Sequence, residues 1–386
     1  MDFRLGESSD ELRAQARAFL EQEMTHELDE RLYRTGVAHD DGFSRALYEK
    51  GWLAPSWPPE QGGQGRNPLE VLALQEELQR ADAPIYGVAI NNMVCHTLAR
   101  LGSEELVADI VPRALRGEIL IVLGFSEPEA CSDVAAAQCR AVREGDKWRI
   151  NGQKMFTTNG HFGDYVFLLT RTNTEVARHK GLTVFLVPMD TPGIEAQAVY
   201  TLSGERTNIT YYTDVIVDDR WRVGDVDGGW TVLTSALQDE HSAGYVGHTE
   251  RLLDLAEQWA RETTGPDGRP RIEDPEVRAR LGRVAAEIEA ALLLQRRAAW
   301  MATEGELPEA EGPMAKLYSS EMLERAAQDI TELICPDAIR SYFEPTAPVG
   351  GRIEHILRFS LGTTIYAGTS EVQRNIIAGR GLGLPR

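Results

Sequence analysis

The sequence predicts an α+β fold in three parts, on three observations. Helical spacing of apolar residues governs the first third, short strand-like runs cut by turns begin near residue 120, and the helical period returns after Gly228-Gly229. The expected domains are an N-terminal all-α domain over 1–119, a β domain over 120–227 and a C-terminal helical domain over 228–386.

In the first part, residues 8–34 carry Leu12, Ala16, Phe19 and Leu20 at helical spacing, and residues 68–79 repeat the habit with Leu69, Leu72, Ala73 and Glu76. Turn chemistry separates them: Gly51, Pro55, Pro58-Pro59, then Gln61-Gly62-Gly63-Gln64-Gly65. A third helical stretch over 91–100 is followed by Ser103-Glu104-Glu105, a helix start. In the middle part, 119–125 is a short apolar run, and 147–150, 165–170, 182–187 and 209–217 read as strands. Gly145-Asp146, Asn151-Gly152 and Asn159-Gly160 supply the turns. The last part holds long amphipathic segments over 230–259, 274–303 and 313–334 and a shorter one over 371–378.

Bulk properties narrow the function. The 386 residues are 42% hydrophobic and 26% charged, as in ordinary globular proteins. The net charge of −20 argues against nucleic acid or an anionic membrane as partner. No apolar run is long enough for a membrane span. Met1-Asp2-Phe3-Arg4 lacks the pattern of a secretory signal, and Cys95, Cys131, Cys139 and Cys335 never form a CxxC pair. Reduced thiols and a cytoplasmic location are the expectation. No dinucleotide fingerprint, P-loop, HExxH or GxSxG is present, and the eight histidines never fall at metal-ligand spacing, so no metal is expected.

Three segments remain. They are Phe125-Ser126-Glu127-Pro128-Glu129-Ala130-Cys131-Ser132-Asp133, then Trp148-Arg149-Ile150-Asn151-Gly152-Gln153-Lys154-Met155-Phe156-Thr157-Thr158-Asn159-Gly160, then Ile365-Tyr366-Ala367-Gly368-Thr369-Ser370-Glu371-Val372-Gln373-Arg374-Asn375. Each alone reads equally as a turn-rich loop or strand edge. In this order, and with Gly51-Trp52-Leu53-Ala54-Pro55 before them and Ile376-Ile377-Ala378 after, they resemble the acyl-CoA dehydrogenase family over essentially the whole chain.

That resemblance implies an N-terminal helical domain, a middle β-barrel and a C-terminal four-helix bundle. It implies FAD between the β domain and the C-terminal helices, with a second subunit reaching the adenosine end. Leu123, Phe125 and Ser126 would line the flavin, Ser132 would hydrogen-bond the diphosphate, Phe156 would sit beside the isoalloxazine and Thr158 near N5. Thr369 and Glu371 fall where the family contacts the adenosine half, and Gly368 would border the substrate. The implied reaction removes a proton α to a CoA thioester and passes a β-hydride to flavin N5, with electron-transfer flavoprotein as acceptor. A homo- or hetero-oligomer, dimer or tetramer, is implied too.

Many members carry the base directly after the Tyr of the third segment, where this chain has Ala367. A second family solution places a Glu on the first helix of the C-terminal part, and here that register holds Glu240. Leu233, Leu237, Glu240 and Gly244 share one helical face at spacings of four, three and four. A carboxyl on such a face, if buried, titrates above the ordinary carboxylate range and suits a general base. The backbone N–H of Ala367 would still polarise the thioester carbonyl, as the family does at this position.

The chain also departs from the pattern. Cys131 stands where the family has Gly, His241 where an Arg commonly follows the base, and Glu332 and Cys335-Pro336 where homo-oligomeric members hold a partner's FAD. Arg261 lies in a segment that replaces a phosphate-binding one. These changes are similar to the branch that splits catalysis and cofactor support between two chains and shortens steroid side chains, so bulky acyl groups are the expected substrates. Two alternatives stand beside this reading: a non-catalytic subunit that completes another chain's FAD site, and a flavin monooxygenase or oxidase on the same fold.

Overall fold

Several helices begin where a side chain takes the otherwise unpaired N–H groups of the first turn. In this computed structural model, which describes residues 4–240 and 244–385 and only the backbone of 238–240, Thr25 caps α2 (His26–Thr35) and Asp40 caps α3 (Asp41–Glu49). Asn67 and Glu70 form a reciprocal capping box on α4 (Pro68–Arg80). α5 (Tyr86–Leu101) has no side-chain cap, whereas Ser103 caps α6 (Glu104–Leu115) as its sequence context predicts. α1 (Glu7–Glu23) stops at Met24, so the expected helical stretch over 8–34 is two helices divided by the Thr25 cap.

The chain packs into two compact units, one of residues 25–66 and 84–240, the other of 1–24, 67–83 and 241–386. The first unit is built on a mixed eight-stranded sheet with the order β6-β7-β3-β2-β4-β5-β8, and β1 pairs in parallel with β4. Its strands are β1 (Ile121–Gly124), β2 (Arg140–Glu144), β3 (Lys147–Lys154), β4 (Tyr165–Arg171), β5 (Leu182–Pro188), β6 (Ile194–Tyr200), β7 (Arg206–Asp218) and β8 (Arg222–Val223). β4 and β5 are buried on both faces, with Val166, Phe167, Leu168, Val184, Phe185 and Leu186 in the core, so they read as continuous apolar runs. α5, α6 and α7 (Gly229–Glu240) complete this unit, and Val232, Leu233 and Ala236 of α7 join the same core.

The second unit is a four-helix bundle of α8 (Val246–Glu262), α9 (Pro275–Thr303), α10 (Glu311–Ile334) and α11 (Arg352–Thr363). Leu252 and Trp259, Leu281 and Ile288, Met322 and Leu323, and Ile353 and Ile356 meet in its centre. α4 packs on α8 and α9, and α1 packs on α4, where buried acidic groups of α4 find cations on α1: Arg13 pairs with Glu76 and Arg17 with Glu77. The short α12 (Ser370–Ile376) closes onto α10. No helix among the described residues is long and apolar enough to cross a membrane.

Candidate active site

In the sheet unit, β1 runs into Phe125 and Ser126 and β3 runs into Phe156 and Thr158, and one buried ion pair locks the two exits together. Glu127, 6% exposed, accepts the backbone N–H groups of Gln138 at 2.6 Å and Cys139 at 2.9 Å and the Lys154 ammonium at 2.7 Å. Lys154, fully buried, also donates to the Phe125 carbonyl at 3.1 Å. The Met155 N–H donates to the Ser126 carbonyl at 2.8 Å. The loop over 125–139 is thereby tied to the end of β3 at both its ends.

Past that anchor the chain turns sharply. Phe156 adopts φ 61° and is 52% exposed. Thr157 is buried, its N–H donating to the Asn208 carbonyl at 2.9 Å and its hydroxyl accepting from Thr210 at 2.7 Å. Thr158 is half-buried with its hydroxyl 3.2 Å from that of Thr207. Leu123 is half-buried in β1 and Ser132 is exposed on the loop. The backbone N–H groups of Ser126, Cys131 and Ser132 meet no acceptor among the described residues. Cys131 sits without a left-handed backbone, its sulfur 3.7 Å from the Ser126 hydroxyl, so the loop takes a Cβ at this position.

In the helical unit, the turn between α11 and α12 carries the third segment. Ala367 has φ 53° and Gly368 φ 80°. The Ala367 carbonyl accepts from Gln373 Nε2 at 3.0 Å, and the Gly368 carbonyl accepts from Lys316 Nζ at 2.7 Å. The N–H groups of Ala367 and Gly368 meet no acceptor among the described residues. Thr369 caps α12, its hydroxyl accepting from the Val372 N–H at 3.2 Å. Hydrogen bonds from its own N–H and from Thr369 hold the exposed Glu371 carboxyl below the usual carboxylate range. Beside this turn an open groove of about 440 Å³ is lined by Arg325, Gln328, Ile365, Thr369, Glu371 and Arg374, with Arg374 paired to Glu321 at 2.7 Å.

The expected base, Glu240, is the last residue of α7, and its side chain lies outside the described residues, as does His241. Leu233 and Leu237 do face the core. Gly244, however, is not on that helix: α7 is described to Glu240, and Gly244 precedes α8. Its missing side chain makes room for something else, because a Cβ there would lie 2.1 Å from Gln295 Nε2 and 2.9 Å from Ser319 Oγ. Of the departures, Glu332 is exposed on α10, Cys335 and Pro336 are exposed beyond it, and Arg261 on α8 pairs with Glu257 at 3.4 Å.

Sequence reasoning passed over Glu127, Lys154, Lys316 and Gln373. The signal was present for Lys316, which shares a helical face with Ser320, Leu323, Ala327 and Ile330, all buried. A charge on that stripe marks a demand other than solvation.

Comparison with known proteins decides what this arrangement is. Family models match end to end: an acyl-CoA dehydrogenase N-terminal domain over residues 6–118, a middle domain over 122–216 and a C-terminal domain over 227–382. The chain belongs to the acyl-CoA dehydrogenase family. The dehydrogenase is 34% identical to acyl-CoA dehydrogenase FadE26 of Mycobacterium tuberculosis, over 98% of this chain and 97% of that protein. It is 32% identical to IpdE1 of the same organism over 98% of each chain. Among solved structures, the Tcur3481-Tcur3483 steroid ACAD superposes with a TM-score of 0.93 at 33% identity over 100% of both chains. The ChsE4-ChsE5 complex of M. tuberculosis gives 0.90 at 32%, again over 100% of both. The cofactor of these dehydrogenases is FAD. The sheet unit fits it: an exposed aromatic face at Phe156, hydroxyls at Ser126, Ser132 and Thr158, and three unengaged N–H donors are a donor set for a flavin and a diphosphate.

Proposed function

We propose that this dehydrogenase oxidises the Cα–Cβ bond of a bulky acyl-CoA thioester, with Glu240 as the α-proton acceptor and the Ala367 N–H as donor to the thioester oxygen. The observation that carries the reading is the Ala367 turn. Its carbonyl is engaged, its N–H is free among the described residues, and its methyl side chain has no group that could take a proton. A free N–H held in a fixed turn costs no reorganisation when charge develops on the oxygen it faces. Polarising that oxygen acidifies the α-carbon, so a carboxylate is base enough to take the proton.

Bound FAD supplies the acceptor for the β-hydride. Leu123, Phe125, Ser126, Phe156 and Thr158 are assigned to holding its ring, Ser132 to its diphosphate, and Thr369 and Glu371 to the adenosine half. Gly368, with no side chain, leaves the substrate room next to Ala367. The bulky substrate follows the relatives, one of which is described as a steroid ACAD. A second, different chain as partner follows from Glu332 and Cys335-Pro336 and from relatives solved as two-chain complexes. Electron-transfer flavoprotein as acceptor, a cytoplasmic location and the three-part division at 119/120 and 227/228 complete the proposal.

The test is anaerobic stopped-flow reduction of the bound flavin by the best acyl-CoA. Glu240→Gln keeps shape but accepts no proton, so the rate is expected to fall ~10²–10⁴-fold with FAD content unchanged. A rate within a few-fold of wild type would refute the assignment of the base.

A further inference from the structure

Lys316 on α10 is 1% exposed and spans two carbonyls, Thr363 at 3.0 Å and Gly368 at 2.7 Å. The first carbonyl closes α11 and the second lies in the turn before α12. From α12 the fully buried Gln373 donates to the Ala367 carbonyl at 3.0 Å and lies 3.5 Å from the Gly368 carbonyl that Lys316 holds. The conformation so enforced is one an L-residue resists. Ala367 at φ 53° lies in the left-handed region, at a cost of about 1–2 kcal/mol. Such strain persists where the surroundings over-determine it. Gly368 is part of the device, because a Cβ there would lie 2.7 Å from Gln373 Nε2 on a backbone with φ 80°.

We propose that Lys316 is a positioning residue for the reaction, one half of a clamp with Gln373 that fixes the 364–369 turn with the Ala367 N–H open to a thioester oxygen. The proposal rests on the reading above, in which that N–H receives the oxygen. The buried ammonium contributes charge as well as geometry. It hydrogen-bonds a carbonyl one residue beyond Ala367, so it favours negative charge on an acceptor at the turn, and little water is present to screen it. Burying a lysine on a helix stripe otherwise filled by Leu323, Ala327 and Ile330 is expensive, and a clamp on a strained turn gives that cost a use.

Lys316→Met keeps length and removes the charge; Gln373→Leu removes the other arm and keeps the charge. Three measurements separate the effects. Hydrogen exchange of the 364–370 amides is read in the resting protein. Flavin reduction is read with the best acyl-CoA. A 3-thiaacyl-CoA, whose sulfur replaces the β-carbon and so blocks oxidation, reports α-proton loss through its charge-transfer absorbance with the flavin. Lys316→Met is expected to speed amide exchange in the turn, lower the reduction rate about 10- to 100-fold and move the onset of the absorbance to higher pH, with FAD content retained. Gln373→Leu should speed exchange to a similar degree and move the absorbance less; it carries the geometric half of the test should Lys316→Met fail to fold. Wild-type exchange and an unmoved absorbance in Lys316→Met would overturn the clamp. Failure of the functional reading shows elsewhere, as an unchanged reduction rate in Glu240→Gln.

Discussion

At the scale of single residues, the candidate site residues legible in the sequence are those that the three family-like segments carry. Ser126, Phe156 and Thr158 stand out because they lie in the segments that resemble the family's, and the structure places them just past the ends of β1 and β3. The groups that hold them there were not legible. Glu127 and Lys154 look like surface charges until the fold buries both, with the carboxylate taking two backbone N–H groups besides the ammonium. Their importance follows from what remains when one is lost. Glu127→Gln leaves the Lys154 ammonium buried without its counter-charge, and breaking such a pair costs about 3–5 kcal/mol. The expected result is a lower urea midpoint at unchanged slope, together with weaker FAD retention because the 125–139 loop is released. Full stability would mean that water reaches Lys154.

At the scale of elements, period and turn chemistry located the long helices and the apolar strands, and failed where an element owes its existence to a neighbour. β2 has one buried side chain, Ala141, and is held by its ladder to β3. β6 is mostly small or half-exposed and is held by β7. α11 follows a turn containing Val349 at φ 44° and two left-handed glycines, a context that reads as loop. Long amphipathic pattern also misled: the segment over 230–259 is α7 and α8, which no period count separates. Close crossings are likewise invisible before the helices are placed. Gly247 on α8 is one, since a Cβ there would lie 2.6 Å from Gln79 Cβ and 2.8 Å from the Glu76 carbonyl of α4. Backbone cannot yield as a side-chain tip does. Gly247→Ala is expected to destabilise the protein by about 1–3 kcal/mol, read by thermal or urea unfolding, with the flavin-binding loop over 125–139 unaffected.

At the scale of the molecule, the three-part fold was legible because its pattern spans the chain, and the family comparison bears it out. The acyl group is the open quantity, and the helical unit bears on it. Tyr366 lies directly before Ala367, 42% exposed, with its ring laid against Gly362, where a Cβ would lie 2.6 Å from the ring. Tyr245 stands 6.3 Å from it and Phe359 6.5 Å, and His248 lies tilted against Phe359 at 4.9 Å. A group of aromatic rings beside a turn that carries the small Ala instead of a carboxylate offers broad apolar contact. A short straight chain would use little of that contact, whereas a fused-ring or branched acyl group gains from it, at about 25 cal/mol per Å² of apolar surface removed from water. An extra 100 Å² or so of contact corresponds to about 2.5 kcal/mol, or roughly 50- to 100-fold in kcat/KM if it is expressed in the transition state. A steroid side-chain CoA ester is therefore expected to outpace butyryl-CoA by about that factor, and Tyr366→Ala to erase most of the difference while leaving butyryl-CoA turnover within a few-fold. Equal or better turnover of butyryl-CoA by the wild-type protein would mean that the aromatic group serves the bundle's packing and takes no part in choosing the substrate.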